Sequence, residues 1–540
     1  MAHDPAVQQR LDRLAPDQRA AATAPPGPVL CVAPAGSGKT TTLVARIAWL
    51  IDGGTDAATI TAVTFNRRAA EELTERLAEA LPVGADPVRV RTFHALGLEI
   101  LRGAGEPVTP LLDRETVLRS VLPTAELAEL RRLDTVISRL KLDLAVSVDA
   151  VAADPEAGPI ARAFVAYERA IADAGGLDFD DLVVRSVRLL ENRPEVLALW
   201  RARCAHLLVD EAQDLDRMQL RIALLLAAPA NRIFLVGDDD QSIYGWRLAD
   251  VRRLLGLAET ALPGLRRVDL VTNYRCPATV IGRAVRLVEH NRERFAKVIR
   301  ARPVAPGSLI LAPSRADASG GCTAVLQSWP EDDGTRAILA RTNRELLPAI
   351  IACLALDVPF RAGDLRLIVE SPQVDVLLDR ARALQDGTPL LVRLVRVRGE
   401  VGGEARDGAR DGATEAAEAL LAWAPGFRDL PALSVAIEDV RGRLARLRRD
   451  DAALTLATAH GTKGLEFDHV AVIGLDAGRF PSALSIADAE DPERALEEER
   501  RLAYVAWTRA RRSLTLVYDP DAPSRFLYEA FDPWELAPAA

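Results

Sequence analysis

Five short segments rich in Val, Ile and Leu, at 29–32, 60–65, 88–92, 206–209 and 232–236, read as buried strands, and stretches of helical period separate them. Strands covered on both faces show this texture, and a helix between successive strands returns the chain to the same edge. The pattern predicts a parallel α/β sheet. A second series begins at 268–271, continues at 309–311 and 337–340, and resumes at 454–458, 470–473 and 514–518. Two stretches break the alternation. Residues from about 95 to 175 are amphipathic and rich in Ala, Leu and Arg, and those from about 366 to 450 are helical and Arg-rich. Within the second, the Gly- and Asp-rich run 401–412 reads as a flexible loop. Two α/β domains are expected, each interrupted by a mainly helical insertion.

A chain of 540 residues with 49% hydrophobic content can build more than one core. Its formal charge of −9 excludes a protein coated in basic surface, so any nucleic-acid site must be a local groove. The five cysteines are scattered, with no close pair to suggest a zinc site, a cluster or a disulfide framework. The opening Met-Ala-His-Asp-Pro has no signal-peptide core, and no apolar run approaches the ~18 residues that span a bilayer. These features lead to the expectation of a soluble cytoplasmic protein with no membrane partner. Lysine occurs only at 39, 141, 297 and 463, so 64 of the 68 basic residues are arginine. Genome composition explains the bias itself. Against it, a site that keeps lysine at 39 asks for a compact point charge instead of a wide planar fork.

Lys39 ends Ala33-Pro-Ala-Gly-Ser-Gly-Lys-Thr40, which follows an apolar strand and precedes a helical pattern. That is the context of a phosphate-binding loop. Gly36 and Gly38 let backbone N–H groups turn inward at a helix N-terminus, Lys39 would reach the β- and γ-phosphates, and Thr40 would offer a hydroxyl to Mg²⁺. The general signature has glycine where this chain has Ala33. Leu207-Leu-Val-Asp-Glu211 supplies the acidic half. Asp210 would hold Mg²⁺, and Glu211 would orient and deprotonate a water. The alternative for this pair is a plain strand end and helix cap. Residues 234–247, Phe-Leu-Val-Gly-Asp-Asp-Asp-Gln-Ser-Ile-Tyr-Gly-Trp-Arg, crowd acids, an amide, aromatics and an arginine into one loop after a strand. Gln241 beside three aspartates suits phosphate and water, while Tyr244, Trp246 and Arg247 suit stacking on bases and pairing with phosphate. Phosphoryl transfer also needs cations against the developing charge. Arg275 and Arg509 are the candidates, each otherwise an ordinary surface arginine.

Taken in order, these residues resemble the superfamily 1A DNA helicases of the UvrD/PcrA/Rep type. Leu14–Gln18 looks like the adenine-reading Q motif, 33–40 like motif I, 64–73 like Ia and Thr92-Phe-His-Ala95 like Ib. Residues 177–182 resemble the segment by which such chains re-enter the first domain. Residues 209–214, 236–247, 273–275, 460–467 and 498–510 are similar to motifs II to VI, and 523–527 to the closing helix. Lys39 and Lys463 fall in motifs I and V, and Lys297 sits where the family commonly has lysine.

The resemblance implies two RecA-like motor domains. The first comprises 1–94 and 176–267 around an insertion at 95–175. The second comprises 268–365 and 451–540 around a shortened insertion at 366–450. It implies ATP and Mg²⁺ as cofactors, bound in the cleft between these domains by Gln18, Ala35, Gly36, Ser37, Gly38, Lys39, Thr40 and Thr41, with Tyr274 stacked on adenine and Glu466 touching the sugar or coupling the nucleotide and DNA sites. Gln241 would sense the γ-phosphate, and Arg275 and Arg509 would act as arginine fingers. Phe65, Thr92, His94, Tyr244, Trp246, Arg247 and His460 would line a groove for single-stranded DNA. The implied activity is 3′→5′ translocation and unwinding of 3′-tailed duplex DNA in repair or recombination.

Arg67 and Arg68 depart from the usual asparagine and lysine of motif Ia, and residues 370–375 match the family poorly. A rival reading, favoured by the short second insertion, is a DNA-sensing ATPase subunit that regulates a separate nuclease. Arg441, Arg443, Arg446, Arg448 and Arg449 are read as a solvated face paired with acids, with duplex phosphate as the alternative.

Overall fold

The computed structural model describes residues 4–81, 87–125, 127–144, 146–154, 158–315, 318–363, 365–384, 387–404 and 412–536. Strands β1 (Val29–Val32), β2 (Ile60–Thr64), β3 (Arg89–Thr92), β4 (His206–Val209), β5 (Ile233–Gly237) and β6 (Arg266–Asp269) form one sheet in the order β3-β2-β4-β5-β1-β6. Every neighbouring pair is parallel. The carboxyl ends of β1 to β5 therefore lie along one edge, and the loops that leave them are the segments singled out above.

β6 corrects the sequence reading. The run at 268–271 was expected to open the second series, yet Arg266 to Asp269 pair with Val29 to Val32 at the rim of the first sheet. As an edge strand β6 has a neighbour on one flank only, and its first two residues, Arg266 and Arg267, are both exposed, so its apolar texture is too weak to show which sheet it joins. A short parallel pair follows, β7 (Thr272–Asn273) with β8 (Arg300–Ala301). The second six-stranded sheet holds β9 (Ser308–Pro313), β10 (Arg336–Ala340), β11 (Phe360–Arg361), β12 (Leu454–Thr458), β13 (Phe467–Val472) and β14 (Ala510–Tyr518), in the order β11-β12-β10-β13-β14-β9. β10 pairs parallel with β12 and β13, and β11 with β12. The fold is α/β with two RecA-like sheets.

Contacts divide the chain into two compact units. One comprises residues up to Ser308 with Pro481–Arg512 and Arg525–Asp532. The other comprises Leu309–Phe480, Ser513–Ser524 and the residues from Pro533 onward. In the first unit, helix Phe93–Gly103 packs against Asp181–Asn192 so closely that a Cβ on Gly97 would stand 2.3 Å from the Leu182 carbonyl oxygen. The helical insertion is tied to the re-entering segment by charge. Lys141, 5% exposed, lies 2.9 Å from Glu168 Oε1, 2.9 Å from Asp178 Oδ2 and 2.8 Å from Asp181 Oδ1. Arg114 and the Tyr167 hydroxyl also donate to Asp178.

Among the described residues the second insertion holds the α-helices Pro372–Ala383, Leu390–Glu404, Gly412–Trp423 and Leu430–Leu447, around Val374, Leu377, Leu394, Val397, Leu420 and Leu433. Residues 401–404 of the expected loop continue a helix, and 405–411 lie outside the described residues. The arginines on the last helix and just after it are paired. Arg441 meets Asp375 at 2.7 Å, Arg446 meets Asp357 at 2.5 Å, Arg448 meets Glu370 at 3.0 Å and Arg449 meets Asp451 at 3.1 Å, while Arg443 donates to the Leu354 carbonyl. Four of these five arginines are thus paired with acids and Arg443 with a backbone carbonyl. All five cysteines are buried thiols. Among the described residues no helix is long and apolar enough to cross a membrane.

Candidate functional site

β1 delivers the chain into a loop whose direction is set by two glycines in the left-handed region, Gly36 (φ 67°) and Gly38 (φ 86°), after which helix Lys39–Asp52 begins. A side chain at Gly36 would strike Arg275 Cβ at 2.7 Å, and one at Gly38 would strike Gln18 Nε2 at 2.5 Å. Glycine is thus required twice, for torsion and for space. Ser37 Oγ is buried with no hydrogen-bond partner among the described residues. The backbone cradle and this orphaned hydroxyl fit a phosphate group. Thr40 and Thr41 stand in the first turn of the helix.

Lys39 Nζ lies 3.6 Å from Glu211 Oε1. Glu211 follows β4 in a left-handed conformation (φ 51°), and its backbone N–H donates to Asp210 Oδ1 at 2.9 Å. Burial, with Glu211 beside it, pushes the Asp210 carboxyl up to about 7. An acid so short of positive charge suits a divalent cation. Among the described residues no three His, Cys, Asp or Glu side chains converge as a metal cage. Mg²⁺ seldom needs one, since it takes one or two protein oxygens and completes its shell with phosphate and water. Asp210 and Thr40 fit that pattern.

Gln213 joins the acidic loop to the next strand. Its Oε1 accepts from Asp238 N at 3.0 Å and its Nε2 donates to Glu211 Oε2 at 2.5 Å. From β5, Gln241 Nε2 donates to Asp238 Oδ2 at 2.8 Å, and Gln241 Oε1 accepts from Arg509 at 3.1 Å. Arg509 is 1% exposed, and burial together with Arg275 lowers its pKa. Arg275 donates to the Thr508 carbonyl at 3.3 Å, and Asn273 Nδ2 donates to the Ala35 carbonyl at 2.6 Å. Tyr274 is exposed and its N–H donates to the Gly36 carbonyl at 2.8 Å. The structure thus brings Gln241, Arg275 and Arg509 to the phosphate loop.

The three aspartates before Gln241 are buried and face Lys297 and Arg294, and Asp238 also accepts from Ala35 N of the phosphate loop at 3.1 Å. Gln18, in the segment that resembles the Q motif, is joined to the phosphate loop: its Nε2 donates to the Ser37 carbonyl at 2.8 Å and its Oε1 accepts from Ala15 N at 3.1 Å.

Beside this site lies an aromatic surface. Phe65, after β2, stacks on Tyr244 with centroids 4.9 Å apart and planes 10° apart. Trp246 is 56% exposed and meets Tyr244 edge-on at 6.2 Å, with the Arg247 guanidinium 4.6 Å from the Trp246 ring centre. Tyr244 therefore spends one face on Phe65, and Trp246 presents the open ring. His94 stacks on Phe179 at 4.0 Å, and burial lowers the imidazole to about 4. Thr92 caps the helix that carries His94, its Oγ1 accepting from Ala95 N at 3.2 Å. Phe179, equally exposed, was missed by the sequence reading. Its signal was a ring set among acids in Asp178-Phe-Asp-Asp181. In the second unit, His460 follows β12, where burial, Arg341 and Lys463 lower it to about 4. Glu466 is exposed just before β13.

The fold and this geometry define a P-loop nucleoside triphosphatase whose Gln241 loop also carries an aromatic and arginine-bearing surface. Residues 14–261 match the UvrD/REP helicase N-terminal domain and residues 441–520 the UvrD-like helicase C-terminal domain. The chain belongs to the UvrD-like helicase family. DNA helicase II of Salmonella typhimurium is 29% identical over 628 aligned positions, covering 97% of this chain and 86% of that protein, and the protein of that name from Escherichia coli aligns equally well. The ATP-dependent DNA helicase PcrA of Staphylococcus aureus is 33% identical over 302 positions, covering 53% of this chain and 41% of its own. The longer alignment exceeds the chain's 540 residues, so those relatives carry insertions that this chain lacks.

Proposed function

We propose that this chain is an ATP-dependent DNA helicase that moves 3′→5′ along single-stranded DNA and opens 3′-tailed duplexes in DNA repair or recombination. The enzyme class, a DNA-dependent ATPase and helicase, follows from family membership. The observation that carries the reading is the single loop 237–247. One end holds Gln241 against Arg509 beside the phosphate loop, and the other presents Trp246 and Arg247.

In this reading Ala35 to Thr41 cradle the phosphates, with Thr40 and Asp210 holding Mg²⁺. ATP supplies the phosphoanhydride bond whose hydrolysis drives the cycle. Glu211 accepts the proton of the attacking water, Gln241 orients that water, and Lys39, Arg275 and Arg509 neutralise charge on the phosphoryl oxygens. Tyr274 stacks on the base, and Glu466 belongs to the same nucleotide set. Phe65, Thr92, His94, Phe179, Tyr244, Trp246, Arg247 and His460 hold the strand. His94 acts as a neutral platform and not as a phosphate-binding cation. Polarity rests on the resemblance to superfamily 1A.

An unwinding assay on 3′-tailed, 5′-tailed and blunt duplexes tests the reading. Opening of the 3′-tailed substrate alone is expected, and equal opening of the 5′-tailed one would refute the polarity. The compact second insertion supports a second reading, an ATPase subunit that regulates a nuclease. Stable copurification with a nuclease and no strand separation by the isolated chain would establish it.

A further inference from the structure

Three acids precede Gln241, and a single ammonium holds them. Lys297 Nζ lies 2.8 Å from Asp238 Oδ1, 2.5 Å from Asp239 Oδ1 and 2.9 Å from Asp240 Oδ2, with its side chain 1% exposed. Asp240 is also gripped by Arg294 at 2.8 and 3.0 Å. Asp238 is the member that reaches further. Its second oxygen accepts from Ala35 N of the phosphate loop at 3.1 Å and from Gln241 Nε2 at 2.8 Å. We propose that Lys297 is a positioning residue for ATP hydrolysis, fixing Asp238 so that one carboxylate holds the phosphate loop and aims the Gln241 amide at Arg509. The inference rests on the ATPase reading above and adds a residue to it.

The chemistry sets the orientation of each group. Asp238 needs one acceptor oxygen toward Lys297 and another toward two N–H donors, which only an ionised carboxylate supplies. Gln241 then turns its NH₂ to Asp238 and its carbonyl to Arg509, because the flipped amide would oppose like poles on both sides. Lysine is retained here in a chain that otherwise uses arginine almost throughout. Three carboxylate oxygens converge on one nitrogen, which a tetrahedral ammonium accommodates and a planar fork does not. Lys141 has the same threefold geometry on Glu168, Asp178 and Asp181, but its acids touch neither the phosphate loop nor Gln241. It is a matched control.

The test compares Lys297→Arg with Lys141→Arg in single-strand-stimulated ATP turnover, with thermal melts of both. Lys297→Arg is expected to lose at least about tenfold in kcat with KM for ATP changed by less than about threefold, the signature of a lost transition-state interaction. Lys141→Arg is expected to lower Tm by a similar amount while kcat stays within about twofold. Should Lys297→Arg fail to fold, the pair Asp238→Asn and Asp240→Asn decides. The first should reproduce the loss of kcat and the second should not. Near-normal kcat in Lys297→Arg, or equal losses in the two Asn variants, overturns the proposal. Absence of turnover in the unmodified chain would overturn the ATPase reading as well, so the two failures are distinguishable.

Discussion

Arg509 is buried, donates to the Val505 carbonyl at 2.9 Å and to Gln241 Oε1 at 3.1 Å, and lies close enough to Arg275 for that charge to lower its pKa. Arg509→Ala is expected to lower kcat by roughly 10³-fold with a small change in KM, the size typical of an arginine finger. Single-turnover ATP hydrolysis would check this, and a kcat near that of the unmodified chain would remove Arg509 from the chemistry. Trp246 stands in solvent with Arg247 across its face. A stacked base contributes about 1–3 kcal/mol, so Trp246→Ala should weaken single-strand binding about five- to 150-fold by fluorescence anisotropy. His94 behaves differently from an exposed histidine. Burial lowers its pKa to about 4, so the ring is neutral across the physiological range. Wild type and His94→Asn should therefore show parallel affinity profiles between pH 6 and 8. A gain in affinity below pH 6.5 that only the wild type shows would mean that the imidazole is a cationic phosphate ligand.

Among the elements, the joint between helices Phe93–Gly103 and Asp181–Asn192 depends on Gly97. A methyl group there must displace backbone, and overpacking of this kind costs roughly 1–3 kcal/mol. Gly97→Ala is expected to lower Tm and, because the same two helices carry or adjoin His94 and Phe179, to weaken single-strand binding. Asp216 makes a separate pH prediction. It caps helix Arg217–Ala227 by accepting from Gln219 N at 2.8 Å, and burial raises its carboxyl to about 7. The folded state thus favours the neutral acid. This stability is full below the unfolded value near 4 and is lost as pH rises through about 7. Asp216→Asn keeps an acceptor and removes the titration, so chemical denaturation between pH 4 and 8 should give a flatter curve than wild type. Strands β1, β2, β4 and β5 were legible from composition because both of their faces are buried. β6 was not assigned correctly, since an edge strand owes its place to a partner that its own residues do not name.

At the scale of the whole chain, the second insertion leaves and re-enters its sheet at one point. β11 pairs with β12, Arg449 N donates to the Phe360 carbonyl at 2.9 Å, and Arg441 donates to the Val369 carbonyl at 2.7 Å. Replacing residues 371–440 by a short Gly/Ser linker should leave a folded protein with single-strand-stimulated ATP turnover. Loss of that turnover in a folded variant would show that the insertion helps to build the motor. The residues proposed to meet phosphate were readable from sequence because the proposed chemistry demands particular side chains next to one another. Lys39 with Thr40, Asp210 with Glu211, and Gln241 ahead of Trp246 were found on that basis. What tertiary structure alone decided is which distant charged and polar groups meet. Arg509 reaches Gln241 across 268 residues, Lys297 reaches Asp238 across 59 and Lys141 reaches Asp178 across 37. A buried charge takes whichever counter-charge the packing brings within about 3 Å, and no local pattern records that choice.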